Sequence, residues 1–194
     1  MEEALILNQQ ADKNVFVTFL PGLGGNHVAN MLATDSRYAT IATAEDYKKH
    51  SFPDAHIVMG NLSLIDTAQN TFGNIFCGHL GEFSWKFSEN KLSKFNNRQI
   101  IILEIPLDQD SLAYRRFKKY TKLHEYFIAE QRSLYSIDTF SKLFNEDDFF
   151  VIDTRDIFTE SIDRFLNYAI DEMNFQLNYN ECKQMHSFWI KKIE

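Results

Sequence analysis

VFVTFLPGLGGNHVANMLA, residues 15–33, sets an apolar run rich in β-branched and aromatic residues against a knot of glycines, and follows it with helical spacing. From Asn14 to Leu20 the run is nearly continuous, as in a strand covered on both faces, and such strands belong to parallel sheets. After Pro21, Gly22, Leu23, Gly24 and Gly25, Asn26 is a candidate N-cap, and Val28, Met31 and Leu32 fall on one helical stripe. The turn carries no lysine. It is open to two readings: an anion cradle made of backbone N–H groups and the positive end of a helix, or a strand-to-helix turn in which glycine serves only backbone geometry.

The same alternation continues along the chain. Residues 74–77 (NIFC) read as a short strand that breaks at Gly78, residues 98–105 (RQIIILEI) as the clearest buried strand, and residues 149–153 (FFVID) as another. Short helices are expected over residues 44–49 and 62–70. Pro106 and the polar cluster 108–111 stop the third strand and start a helix carrying Leu112, Tyr114, Arg115, Phe117 and Tyr120, with a second helix over 124–135. Thr159 or Ser161 caps a helix through Ala169, and a last helix covers 180–193. Strands alternating with helices of these lengths predict an α/β fold: three layers, a mostly parallel sheet of four to five strands, and C-terminal helices closing it.

At 194 residues the chain is one domain, residues 1–194, with a sizeable core. Its 44% hydrophobic and 24% charged residues, with only three prolines, are those of a soluble globular protein. A net charge of −7 repels polyanions, so nucleic acid is not an expected partner, whereas a small anion held by local donors is. Cys77 and Cys182 are far apart and match neither a disulfide framework nor a metal-ligand spacing, which points to the reducing cytoplasm. The acidic start MEEALILNQQADKN reads as neither a secretory signal nor a membrane anchor, so no membrane partner is expected. The six histidines, His27, His50, His56, His79, His124 and His186, show no metal-binding spacing, and no metal is expected.

In a parallel sheet, ligands bind at the carboxyl ends of strands, so the loops after Leu20, Cys77, Ile105 and Asp153 should converge on one crevice. The first loop departs from the nucleotide triphosphatase pattern, with Asn26 and His27 where Lys and Ser or Thr belong, which argues against an ATPase or ordinary kinase. His79, between Gly78 and the Leu80-Gly81 pair, is suited to taking a proton from a hydroxyl, or is structural. Arg115 and Arg116 either supply guanidinium groups to a phosphate or lie on a solvated helix face. Asp153, Arg155 and Asp156 read as groups that cap and pair at a strand end. Trp85 and Phe87 either pack in the core or stack on an acceptor.

Taken in order, these elements resemble the sulfotransferase family. PGLGGNHVANML after a strand looks like that family's phosphosulfate-binding loop. IFCGHL is similar to its strand ending in His-Leu, whose histidine is the general base in cytosolic members. IILEIPLDQDSLAYRRF resembles the element that binds the 3′-phosphate, FFVIDTRDIF the following strand and turn, and HSFWIKKI the closing segment. The resemblance implies a P-loop NTPase-like topology and PAPS, 3′-phosphoadenosine 5′-phosphosulfate, as cosubstrate. On it, Gly22, Leu23, Gly24, Gly25, Asn26 and His27 form the 5′-phosphosulfate cradle. His79 deprotonates a hydroxyl or amine on a small-molecule or glycan acceptor, and Ser111 with Arg115 or Arg116 binds the 3′-phosphate. Residues 39–72 and 122–144 would build the acceptor pocket. The chain departs from the family at Gly22, where cytosolic members carry a lysine, and at Glu104 and Ile105, where the family places an arginine. A non-catalytic PAP- or nucleotide-binding protein of the same fold, and a small-molecule kinase with a degenerate loop, are the alternative expectations.

Overall fold

A computed structural model describes residues 11–20, 22–38, 43–49, 73–79, 98–106, 108–121, 145 and 149–193. Among the described residues four strands make one sheet: β1 (Asn14–Phe19), β2 (Ile75–His79), β3 (Arg98–Leu103) and β4 (Phe149–Ile152), in the order β2-β1-β3-β4. All three pairings are parallel. Every residue of β1 is buried, which accounts for its unbroken apolar run: a central strand in a parallel sheet has no solvent face. Asn14 and Thr18 are its polar residues, and the Asn14 Oδ1 accepts hydrogen bonds from the backbone and side chain of Asn74.

The expected break at Gly78 does not occur. Pairing with β1 continues through Thr18 with Gly78 and Phe19 with His79, because the parallel ladder needs only the glycine's backbone groups. Conversely β3 ends at Leu103, two residues before the expected limit, although the Glu104 N–H still donates to the Ile152 carbonyl.

Among the described residues the α-helices are α1 (Gly25–Leu32), α2 (Ala44–Lys48), α3 (Leu112–Thr121), α4 (Asp163–Asp171) and α5 (Tyr179–Ile193). Val28, Met31 and Leu32 are fully buried, as their spacing requires. The N-cap of α1 is Gly24, in the left-handed conformation at φ 78°, and not Asn26. A glycine that adopts positive φ at no steric cost turns the chain earlier than a side-chain cap would. Asn26 instead lies in the first helical turn, where its Oδ1 accepts from the buried Cys77 thiol at 2.7 Å. α4 also starts later than expected: it begins at Asp163 with Ile162 as its N-cap, while the Ser161 hydroxyl oxygen accepts from Asp163 N at 3.5 Å. Ser161 donates to the Asp163 carboxylate at 2.8 Å.

α2 begins with a capping box in which Thr43 accepts from Asp46 N and the Asp46 carboxylate accepts from Thr43 N. α1 packs on β1, β2 and α5, and α2 packs on α5. The C-terminal helix thereby closes over the strand-loop-helix unit. Among the described residues no helix is long and apolar enough to cross a membrane. The helices expected over 62–70 and 124–135, Pro21, Trp85, Phe87 and most of the acceptor-pocket segments lie outside the described residues.

Candidate functional site

The carboxyl ends of β1 and β2 bring two expected site elements side by side. His79 is the last residue of β2 and is in register with Phe19, immediately before the glycine loop. Its side chain lies outside the described residues.

Within the loop, Leu23 is fully buried and its N–H closes a turn onto the Leu20 carbonyl, while Gly22 takes φ 89°. The first turn of α1 closes with Val28 N–H on Gly24 O at 3.0 Å. No acceptor among the described residues takes the backbone N–H groups of Gly24, Gly25 or His27, the ordinary condition of a helix start and the basis of its affinity for anions. The two side chains of this turn face inward. Asn26 is engaged by Cys77, and His27 is 2% exposed, with its ring stacked on Trp189 at 4.2 Å and 13°.

Trp189 and Phe158 are the floor under Gly24. A Cβ added there would lie 3.2 Å from the tryptophan ring and 3.5 Å from the phenylalanine ring, and the two rings meet edge-on at 5.1 Å. Phe158 also lines a cleft of about 320 Å³ whose other walls are Leu112, Arg115, Thr159, Glu160 and Ile190. One aromatic side chain therefore touches both the glycine loop and the cleft that holds Arg115. Arg115 is exposed and forms no ion pair among the described residues.

Ser111 stands at the start of α3, after the loop that follows β3. It is the cap of α3: its hydroxyl donates to Asp108 O at 2.6 Å and accepts from Tyr114 N at 3.1 Å. Ser111→Ala is accordingly expected to cost about 1 kcal/mol of stability, measured by urea unfolding. Arg116 is half-buried one residue beyond Arg115 and is absent from the cleft lining.

The β3–β4 side of the carboxyl edge is acidic. Asp153 caps the short 3₁₀ turn Thr154–Asp156 and receives the Arg155 guanidinium on both oxygens. Burial pushes Asp153 up, but the hydrogen bonds and charge of Arg155 hold it below the usual carboxylate range. Glu104 is pushed the other way, by burial and then by the neighbouring Asp153 charge, and burial likewise raises Asp156. Added negative charge is therefore disfavoured over the ends of β3 and β4. Among the described residues no group of His, Cys, Asp or Glu is placed to hold a metal ion.

One polar arrangement had no signature in the sequence. His27 Nδ1 lies 2.9 Å from Tyr47 Oη, and His27 Nε2 lies 3.1 Å from His186 Nδ1. His186 Nε2 lies 2.6 Å from Thr159 O, on the cleft wall. Its partners come from three separate segments, 20 and 159 residues from His27, so no local spacing announces it. No family model matches the chain, and no curated protein or solved structure matches it either.

Proposed function

We propose that the protein is a sulfotransferase-like enzyme of P-loop-type topology that transfers a sulfuryl group from PAPS to a hydroxyl or amine on a small-molecule or glycan acceptor. The observation that carries this reading is the strand, glycine loop and helix at the carboxyl end of central β1. Its open Gly24, Gly25 and His27 N–H groups are joined through Phe158 to the cleft holding Arg115. The open N–H groups of Gly24, Gly25 and His27 hold the 5′-phosphosulfate, and Arg115 takes the second phosphate by charge-assisted hydrogen bonds. His79 takes the acceptor proton as the acceptor oxygen or nitrogen bonds to sulfur and the bond from sulfur to the nucleotide's phosphate oxygen breaks, releasing PAP. Placement and electrostatic stabilisation supply the catalysis, as in phosphoryl transfer.

The inward-facing Asn26 and His27 side chains, with Gly22 in the lysine position, favour a second reading: PAP binding without transfer. The missing Lys-Ser/Thr pair leaves a kinase unsupported.

Calorimetric titration of the full chain with PAP and with ATP tests the binding step. Saturable PAP binding, tighter than ATP, is expected, and Arg115→Ala should weaken it about tenfold, roughly 1.4 kcal/mol. Absence of PAP binding by folded protein would overturn both readings. Sulfated product formed by the wild-type chain and lost in His79→Ala selects transfer; PAP binding without product selects the second reading.

A further inference from the structure

The hydrogen bonds around His27 have one consistent direction. The Thr159 carbonyl only accepts, so His186 Nε2 carries a proton and its neutral Nδ1 accepts from His27 Nε2–H. His27 Nδ1 is then an acceptor, filled by the Tyr47 hydroxyl, whose oxygen accepts from Asn30 Nδ2 at 3.0 Å. Every ring nitrogen is used, and both rings are neutral Nε2–H tautomers. The chain crosses four segments: Asn30 and His27 on α1, Tyr47 on α2, His186 on α5 and the Thr159 backbone.

An added proton has no place in this arrangement. On His186 Nδ1 it would face the His27 N–H. On His27 Nδ1 it would face the Tyr47 hydroxyl that donates there, and break the bond to α2. Among the described residues the resulting charge would have no carboxylate partner. On α2, Glu45 pairs with Lys48 and Lys49 at the surface and Asp46 is held in the capping box. On α5, Glu181 accepts from Ala44 N, Lys183 pairs with Asp163, the Tyr179 hydroxyl donates to Asp163, Lys191 and Lys192 are exposed, and the Cys182 thiol is held by Thr34. Glu160, beside Thr159, is exposed.

We propose that the Tyr47–His27–His186 chain is an acid-released latch: with both rings neutral it fastens α2 and α5 to α1, and a proton on the pair parts them. Burial, and for His27 also the neighbouring His186, hold both histidines below the ordinary range, while the Thr159 bond opposes this at His186. The sign follows: the stabilisation is complete above the unfolded histidine pKa of about 6.5 and is lost as pH falls below it. Release would lift Trp189 from Gly24 and His27, opening the loop's floor. The latch does not depend on what the loop binds.

Two measurements test it on the full chain. Ring nitrogen NMR near about pH 7.5 is expected to show both histidines as Nε2–H tautomers, and an Nδ1–H tautomer on either ring overturns the latch. In a Trp85→Phe background, Trp189 emission is expected to change in one step between about pH 7 and about pH 5, with α5 amide protection lost while the sheet stays protected. His186→Gln, which cannot titrate, should abolish the step. No step in the parent chain, an unchanged step in His186→Gln, or simultaneous loss of sheet and α5 protection overturns the proposal. The tautomer measurement decides it if that variant does not fold.

Discussion

Gly25→Ala is expected to destabilise the protein by about 3 kcal/mol, at the upper end for a small-to-large change in a packed core. A Cβ at this position would lie 1.9, 2.1 and 2.2 Å from Cδ1, Cε1 and Cγ of Phe19. Those atoms belong to a ring that is 3% exposed and held at the end of the central strand. The ring cannot swing into solvent, so either β1 or the first turn of α1 must move. Helix propensity acts the other way, since alanine is favoured over glycine by about 1 kcal/mol inside a helix, and a large net loss is therefore diagnostic of the contact. Gly24→Ala should cost less, about 1–2 kcal/mol, because it adds a positive-φ penalty and a contact no closer than 3.2 Å with Trp189. Urea unfolding of Gly25→Ala, Phe19→Ala and the double variant gives the coupling. The double variant should be less destabilised than the sum, because removing the ring makes the space that the methyl needs. A Gly25→Ala loss below about 0.5 kcal/mol would show that the close packing of loop on strand is not what glycine provides. PAP binding by the same variant should fall with the displaced N–H groups, which ties the fold prediction to the proposed cradle.

The sheet was legible because each strand is a run of apolar residues whose burial needs no partner to be recognised. Residues 98–105 read as a buried strand from RQIIILEI alone, of which 98–103 form β3, and the helices after β3 and β4 were announced by the polar residues that stop the strands. The Asp153–Arg155 pair was also readable, since two residues of separation place it on one turn. Helix starts were read less well. Asn26 has the preferred chemistry for an N-cap, yet the left-handed Gly24 sets the boundary, and residue type does not report φ. The Thr43–Asp46 capping box did have a signal in Thr-Ala-Glu-Asp, a hydroxyl residue followed three positions on by an acid. His27 shows the real limit. The sequence reading gave it a backbone role at an anion site, whereas its side chain belongs to an internal chain completed by Tyr47 and His186. Contacts so distant along the chain are products of tertiary packing, to which periodicity and short motifs are blind.

Asp35→Ala is the second large effect, again about 3 kcal/mol, and it acts on the candidate site from a distance. Asp35 is completely buried just beyond α1. It accepts from Arg37 N at 3.0 Å, from Arg37 Nε and Nη2 on both oxygens, and from Gln176 N at 2.7 Å. Arg37 Nη2 continues to the carbonyl of Asn174, whose φ of 59° turns the chain toward α5. Removing the carboxylate strands a guanidinium that is 20% exposed and a backbone N–H that loses its acceptor, and breaking such a pair on one side costs more than the pair was worth. Asp35→Asn keeps the shape but presents a donor where two donors already point, so about 2 kcal/mol is expected. Burial pushes Asp35 up, but hydrogen bonds from Arg37 and Gln176 and the Arg37 charge leave it below its ordinary carboxylate value. Its contribution is therefore complete above about pH 4 and is lost as pH falls through the folded value, so both variants should lose less stability than the parent below about pH 4. Urea unfolding at neutral pH and near about pH 3 measures this, and equal acid sensitivity in parent and variants would refute the assignment. The segment that Asp35 fixes leads directly into the helix that places Trp189 under Gly24 and His186 beside His27. Asp35 variants should therefore weaken PAP binding while leaving every proposed ligand contact in the sequence intact, and they should release the histidine latch at a higher pH than the parent.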